Sequence, residues 1–503
     1  MKEQHVVEAT SQQQAQPGAR RPGFIFLATL LVFWLAWYAA NWPALKSAWW
    51  YMDDFAGVED LSDSIRAGLS TGRPVSGLWF YTYALDGGKD RRLANRLLRL
   101  GQGGLHALAG ALAVIALSRQ GTPLVAVAAV LPFVLWPFNG EVTLWRAAGH
   151  YPLAACLSLL GLVFIQRDRL RSLGRVLGAG LIFLAVLTNQ VGACAALLVA
   201  VIGLSRGVLG NVSAQLRQSA REFGWMLPGY VAGAWASFLI ARAYGPWRVH
   251  LAVSVSAKEK FLLQLNQTFL LSDLYPQLLK IFHLAMLIAP LALLVGHAVV
   301  GRRFSASGTL IAAGGLSAFG ILPYLPVMVV AESWPSWRVM YLAPFTFGAA
   351  WLVGERSVEA WPKVRTLLGI ALLVVLGSYV SVSRGNSSEY TRLFKYDLDT
   401  LRRLEGFATA AGTRRVFVVT EPSMVKDANP YRLRYWYADA HQSALLISWS
   451  AHPFVRWFSW LRPVEDDPTV RQRATQQCDA TAGEGGFRFY VLRELEVICV
   501  CPP

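Results

Sequence analysis

The chain has 503 residues, 54% of them hydrophobic and only 16% charged, with 19 Trp. A water-facing surface needs about 25% charged residues, so a soluble protein is excluded, as are a disordered chain, a coiled coil and a small disulfide scaffold. Lys and Arg number 47 against 31 Asp and Glu, a net charge of +16, but these cations sit between long apolar runs and mark topology and anionic headgroups rather than nucleic acid.

In chain order, residues 1–22 read as a polar cytoplasmic tail ending in Arg20-Arg21. The run from Phe24 to Ala40 is too long for a signal-peptide core and ends in an aromatic belt, so it reads as a retained first helix. Further runs long enough to span lie near 95–118, 122–138, 150–166, 174–188, 190–205, 224–243, 280–300, 307–330, 339–354 and 364–383. The stretch 174–204 exceeds one span, and Thr188-Asn189-Gln190 interrupts it, so it is split there into a hairpin. The predicted architecture is all-α, with about eleven transmembrane helices over residues 23–384, followed by a small α/β domain over 385–503.

Eleven spans put the N-terminus inside and the last 119 or so residues outside. The inner loops then hold Arg119, Arg167, Arg169, Arg171, Arg206, Arg302 and Arg356, as the positive-inside rule requires. The exception is Lys89, Arg91, Arg92, Arg96 and Arg99, all placed outside. At helical spacing Arg92, Arg96 and Arg99 share one face. That stripe either binds phosphate or anchors the chain to anionic lipid.

The first outer loop, 42–94, is far longer than a helix connection needs. It reads as interfacial helices at 44–51, 58–69 and 78–85, with Asp53-Asp54-Phe55 near its start and Gly72-Arg73-Pro74 in the middle. The Asp pair either ends a helix in water or supplies a general base and a divalent-cation site. In the second outer loop Glu141 is a candidate second carboxylate and Trp145 a platform for a sugar ring. The alternative there is an ion pair between Glu141 and Arg146 beside an interfacial Trp. Glu332 and Arg338 before the late span carry the same choice between chemistry and anchoring. His106, His283 and His297 are isolated in apolar runs and read as core histidines; His106 and His297 have no His, Cys or carboxylate three or four residues away.

An Asp-Asp-aromatic after the first span, followed by Gly-Arg-Pro, resembles the serotype-converting O-antigen glucosyltransferase family of the GT-C fold. Gln190 at a helix start and Trp337-Arg338-Val339 at a late span echo that family in the same order, although Asn189 stands where it tends to have Tyr. The resemblance implies transfer of a sugar, glucose in the family, from a polyprenyl-phosphate carrier to an envelope glycan or lipid acceptor, with inversion. It further implies a bacterial inner-membrane protein with its C-terminal domain in the periplasm. In that reaction Asp53 is the candidate base, with Asp54 positioning it or sharing a divalent cation. Arg73, Arg92, Arg96, Arg99 and Arg338 are candidates for the phosphate, because Arg forks onto phosphate with two parallel hydrogen bonds. Glu141, Trp145, Arg146 and Gln190 are candidates for substrate binding. The competing classes are a flippase or transporter of a lipid-linked saccharide and an O-antigen polymerase or ligase. No nucleotide, hydride or zinc-protease motif is present, so no cofactor beyond that cation is expected.

In the last domain, residues 386–411 read as a helix and 415–420, 444–449, 486–492 and 494–500 as strands. Three of the five cysteines lie here, and Cys478 can pair with Cys499 or Cys501.

Overall fold

The computed structural model describes residues 22–46, 61–81, 91–120, 122–137, 139–144, 148–167, 171–245, 288–296, 304–318, 322–324, 341–359, 361–420, 448–464, 467–480 and 486–502, with single residues at 281, 285 and 445. The chain is a helical, membrane-embedded protein. Among the described residues, five helices are long and apolar enough to cross a membrane, and four shorter apolar ones accompany them.

Helix α1 (Pro22–Lys46) opens the bundle. The short pair α2 (Leu61–Ser70) and α3 (Pro74–Tyr81) follows, joined by a three-residue turn. Next come α4 (Arg91–Leu117), α5 (Pro123–Leu135), α6 (Asn139–Leu144), α7 (His150–Gln166) and α8 (Arg171–Thr188). The chain breaks at Asn189, forms the single turn α9 (Gln190–Ala193), and continues as α10 (Ala195–Gly207) and α11 (Val212–Tyr244). The split expected at Thr188-Asn189-Gln190 is therefore present. Asn189 is the device that makes it: its backbone is extended (φ −163°, ψ 122°) and its side chain accepts from Gly192 N at 2.9 Å, capping α9.

Packing inside the bundle uses small residues, because lipid supplies no hydrophobic drive between helices. A Cβ on Gly161 of α7 would lie 2.7 Å from Gly178 O on α8, and one on Gly178 would lie 2.6 Å from Gly161 O. Gly229, Gly233 and Ser237 make a buried stripe on α11 at four-residue spacing, and the two glycines bring its backbone against Ala179 and Phe183 of α8. The opposite face of α11 exposes Leu227, Val231, Trp235 and Leu239, again four apart. In water such a stripe would be an aggregation site; in a bilayer it is the lipid contact.

After α12 (Ala306–Ala318) and α13 (Phe345–Ser357), helix α14 runs unbroken from Pro362 to Ala411. Its start is tied by Arg365 to Glu355 at 2.9 Å, and Ser387 Oγ donates to Asn41 Oδ1 near the end of α1 at 3.3 Å. The 22 or so residues between those ties rise about 33 Å, the thickness of a bilayer's hydrocarbon core. The domain boundary expected at 384/385 thus falls inside a helix. The apolar run and the amphipathic segment at 386–411 are one element, and it ends at Gly412 in the left-handed conformation (φ 68°).

The far end of α14 packs on a four-stranded sheet of order β2-β1-β4-β3, formed by β1 (Arg415–Val418), β2 (Arg462–Pro463), β3 (Arg488–Leu492) and β4 (Val497–Cys501). Strand β1 is parallel to both β2 and β4, and β3 is antiparallel to β4. Helices α15 (Ser448–Phe458) and α16 (Pro468–Ala480) complete the unit. The last two residues of the strand expected at 444–449, Ser448 and Trp449, instead open α15; a short apolar run does not by its pattern alone distinguish a strand from a buried helix.

Candidate functional site

One end of the bundle is where α1, α8 and α11 finish and α4, α7 and α9 begin. The pair α2–α3 docks there at three points, each made possible by a glycine. Gly72 sits in the turn with φ 68°, and a Cβ on it would lie 2.5 Å from Ser237 O of α11. Gly245, which ends α11, abuts the carbonyl of Ser70. Gly149, which caps α7, lies so close to the indole of Trp79 from α3 that a Cβ would collide with it.

Arg73 and Gln190, 117 residues apart in sequence, meet at this docked turn. Arg73 Nε donates to Gln190 Oε1 at 2.8 Å. Gln190 Nε2 donates to Ser237 Oγ at 2.7 Å, and Ser237 Oγ donates to the Gly72 carbonyl at 2.7 Å. The chain of bonds closes on the residue next to Arg73, so turn, α9 and α11 hold one another. A contact through Nε fixes the plane of a guanidinium, which is what a forked anion contact requires. The turn itself is held by Arg73 N donating to Gly68 O and by Ser76 Oγ donating to Arg73 O.

The basic stripe is divided. Arg96 is exposed and donates to Lys46 O, at the end of α1, at 2.7 Å. Arg99 is fully buried, with its Nε donating to Leu144 O at 2.9 Å. Its companions on the inward face are Asn95, Gln102 and His106, all buried, at spacings of four, three and four residues. The lipid-facing grouping of Arg96 with Arg99 is thus not observed. About 60° of helical rotation separates them, and Arg99 belongs to the side packed against the bundle. His106 is a satisfied core histidine, with Nδ1 2.8 Å from Tyr341 Oη and Nε2 3.3 Å from Val134 O.

Helix α6 lies beside this face. Thr143 Oγ1 accepts from Trp37 Nε1 at 2.9 Å, and Asn139 Nδ2 donates to Phe133 O at 2.9 Å. Arg92 and Glu141 fall in α4 and α6, but their side chains are not among those described. Asp53, Asp54, Trp145, Arg146, Glu332 and Arg338 lie outside the described residues, as do His283 and His297.

At the other end of the bundle, Glu355 is buried between Arg206 (3.1 Å) and Arg365 (2.9 Å), while Gln166 Nε2 donates to Glu222 at 3.2 Å. Among the described residues, Arg206 and Arg365, assigned to inner loops, therefore sit at the opposite end from Arg96 and Arg99, assigned to the outer side. Sequence reasoning missed Ser237, which joins Gln190 to the turn. Its signal was present in the Gly229, Gly233, Ser237 spacing, which marks a close helix contact. No protein-family model, curated protein or solved structure matches the chain.

Proposed function

We propose that this protein is an integral-membrane glycosyltransferase. It moves a sugar from a polyprenyl-phosphate carrier to a glycan or lipid acceptor on the outer face of a bacterial inner membrane. The observation that carries this reading is the Arg73–Gln190 hydrogen bond. Two residues singled out separately by one resemblance meet in space, at the bundle end that also holds Arg96 and Arg99. In this reading the chain has about eleven spans, and its final sheet unit faces the periplasm.

The chemistry follows from the reaction's charges. The acceptor hydroxyl oxygen attacks the anomeric carbon as the bond from that carbon to the carrier phosphate breaks. Asp53 takes the hydroxyl proton, and Asp54 orients it or shares a divalent cation with it. Negative charge grows on the departing phosphate, where Arg73 is held ready; a preorganised donor spends nothing on reorienting at that moment. Arg338 and the Arg92–Arg99 segment add positive potential, and Glu141, Trp145 and Arg146 contact the saccharide. Glucose is the sugar suggested by the resemblance.

Purified protein in vesicles containing a labelled polyprenyl-phosphate sugar separates the reading from its rivals. A transferase passes label to the acceptor. A flippase moves the intact lipid between leaflets and passes none, and that outcome would retire the proposal.

The bond between Arg73 and Gln190 makes a quantitative prediction. Arg73→Ala and Gln190→Ala each lower transfer about a hundredfold, and the double variant is little worse than either alone. The shortfall from additivity is a coupling of about 2.5 kcal/mol, within the range for contacting residues. Strictly additive losses would mean that the two residues act separately.

A further inference from the structure

The sheet unit carries three sulfurs in one place. Cys478 on α16 is bonded to Cys501 on β4. Cys499, two residues earlier on the same strand, points to the same face because strand side chains alternate with a period of two. Its Sγ lies 3.3 Å from Cys478 Sγ and 3.7 Å from Cys501 Sγ. The pocket around it is apolar, formed by Phe417, Val470, Ala474 and Val497. The remaining two cysteines, Cys156 and Cys194, belong to the helical bundle.

We propose that Cys478 is a two-position disulfide centre, in which Cys499 and Cys501 are interchangeable partners. The Cys499 thiolate attacks Cys478 Sγ, a Cys478–Cys499 bond forms, and Cys501 leaves as the thiolate. One disulfide and one thiolate stand on each side of the step, so no outside oxidant or reductant enters. Attack on Cys501 instead would join residues i and i+2 of one strand, whose Cα atoms are about 6.8 Å apart, at the limit for a bridge. Exchange therefore runs through Cys478, and it turns Cys501, two residues from the end of the sequence, into the free thiol.

Two features of the packing hold the exchange back. The Cys499 sulfur stands beside the existing bond, at similar distances from both sulfurs, whereas displacement at sulfur proceeds along the bond's extension. Burial also raises the Cys499 thiol to about 12, so few molecules carry the nucleophilic thiolate at neutral pH. A shift of β4 by a fraction of its pleat corrects the first, and alkaline pH relieves the second. The folded domain thus stores the second pairing behind local opening of its last strand.

The test uses the full-length protein in detergent. Free thiols are blocked with N-ethylmaleimide under acid quench, then the protein is reduced, labelled with iodoacetamide and cut with trypsin. The peptide Glu494–Pro503 holds both strand cysteines, and fragment ions across Val500 report which one was free. At pH 7 the maleimide is expected on Cys499. After incubation at pH 9 to 10 it is expected on a growing share of Cys501, at a rate rising about tenfold per pH unit, as a thiolate nucleophile requires. The Cys501→Ser variant is expected to keep its fold and bridge Cys478 to Cys499, while Cys499→Ser shows one pairing at every pH. Maleimide on Cys499 alone at all pH values, or two free thiols in oxidised Cys501→Ser, would overturn the proposal.

Discussion

Gly72→Val is expected to destabilise the protein by about 3 kcal/mol and to abolish the docking of α2–α3 on the bundle. Two independent costs fall on this residue. Its backbone is left-handed (φ 68°), a conformation that a β-branched residue adopts only under strain. The added Cβ would also lie 2.5 Å from the carbonyl oxygen of Ser237 and 2.8 Å from its hydroxyl. Neither neighbour can yield cheaply, since one is helix backbone and the other is the bridge to Gln190. The helix or the turn has to move, and the bond from Arg73 to Gln190 goes with it. Gly224→Ala is the control: its Cβ would meet nothing within 4 Å, and replacing this helix-interior glycine leaves stability unchanged or raises it by up to about 1 kcal/mol. Thermal unfolding in detergent reads both. Equal midpoints for the two variants would show that the close approach at Gly72 is not maintained.

Much of the bundle was legible in the sequence because a bilayer enforces length and hydrophobicity on every span. The break at Thr188-Asn189-Gln190 was readable for a further reason: Asn is a good helix cap and a poor interior residue. What misled was the rise in charge after Arg384. That rise reports where α14 leaves the apolar layer and says nothing about whether the backbone continues, which it does as far as Gly412. The strand expected at 444–449 overran the start of α15 for a local reason, because an apolar run such as Leu445-Leu446-Ile447 fits either a strand or the lead into a helix.

The candidate site was read as residues and not as contacts. Arg73 and Gln190 stood out separately, but nothing in the sequence joins positions 117 apart. Helical spacing grouped Arg99 with Arg92 and Arg96, but the rotation of about 60° between Arg96 and Arg99 is enough to carry Arg99 onto the packed side. There Asn95, Arg99, Gln102 and His106 turn toward the protein because lipid cannot solvate them. This placement also changes what Arg99 can do. Buried and bonded to Leu144 O, it braces α4 against α6, whereas Arg73 is the half-buried cation on the docked turn.

Asp53→Asn tests the central claim most directly. Asn keeps the shape of Asp and cannot accept the acceptor's proton, so the substitution removes the proposed base while changing little in size. Removal of a general base costs about a hundredfold to ten-thousandfold in rate, and the expected loss here is about a thousandfold. The measurement is transfer of labelled sugar from a polyprenyl-phosphate donor in vesicles, with binding of the donor followed in parallel. Transfer reduced about a thousandfold with donor binding retained is the predicted result. Full transfer by Asp53→Asn would contradict the account.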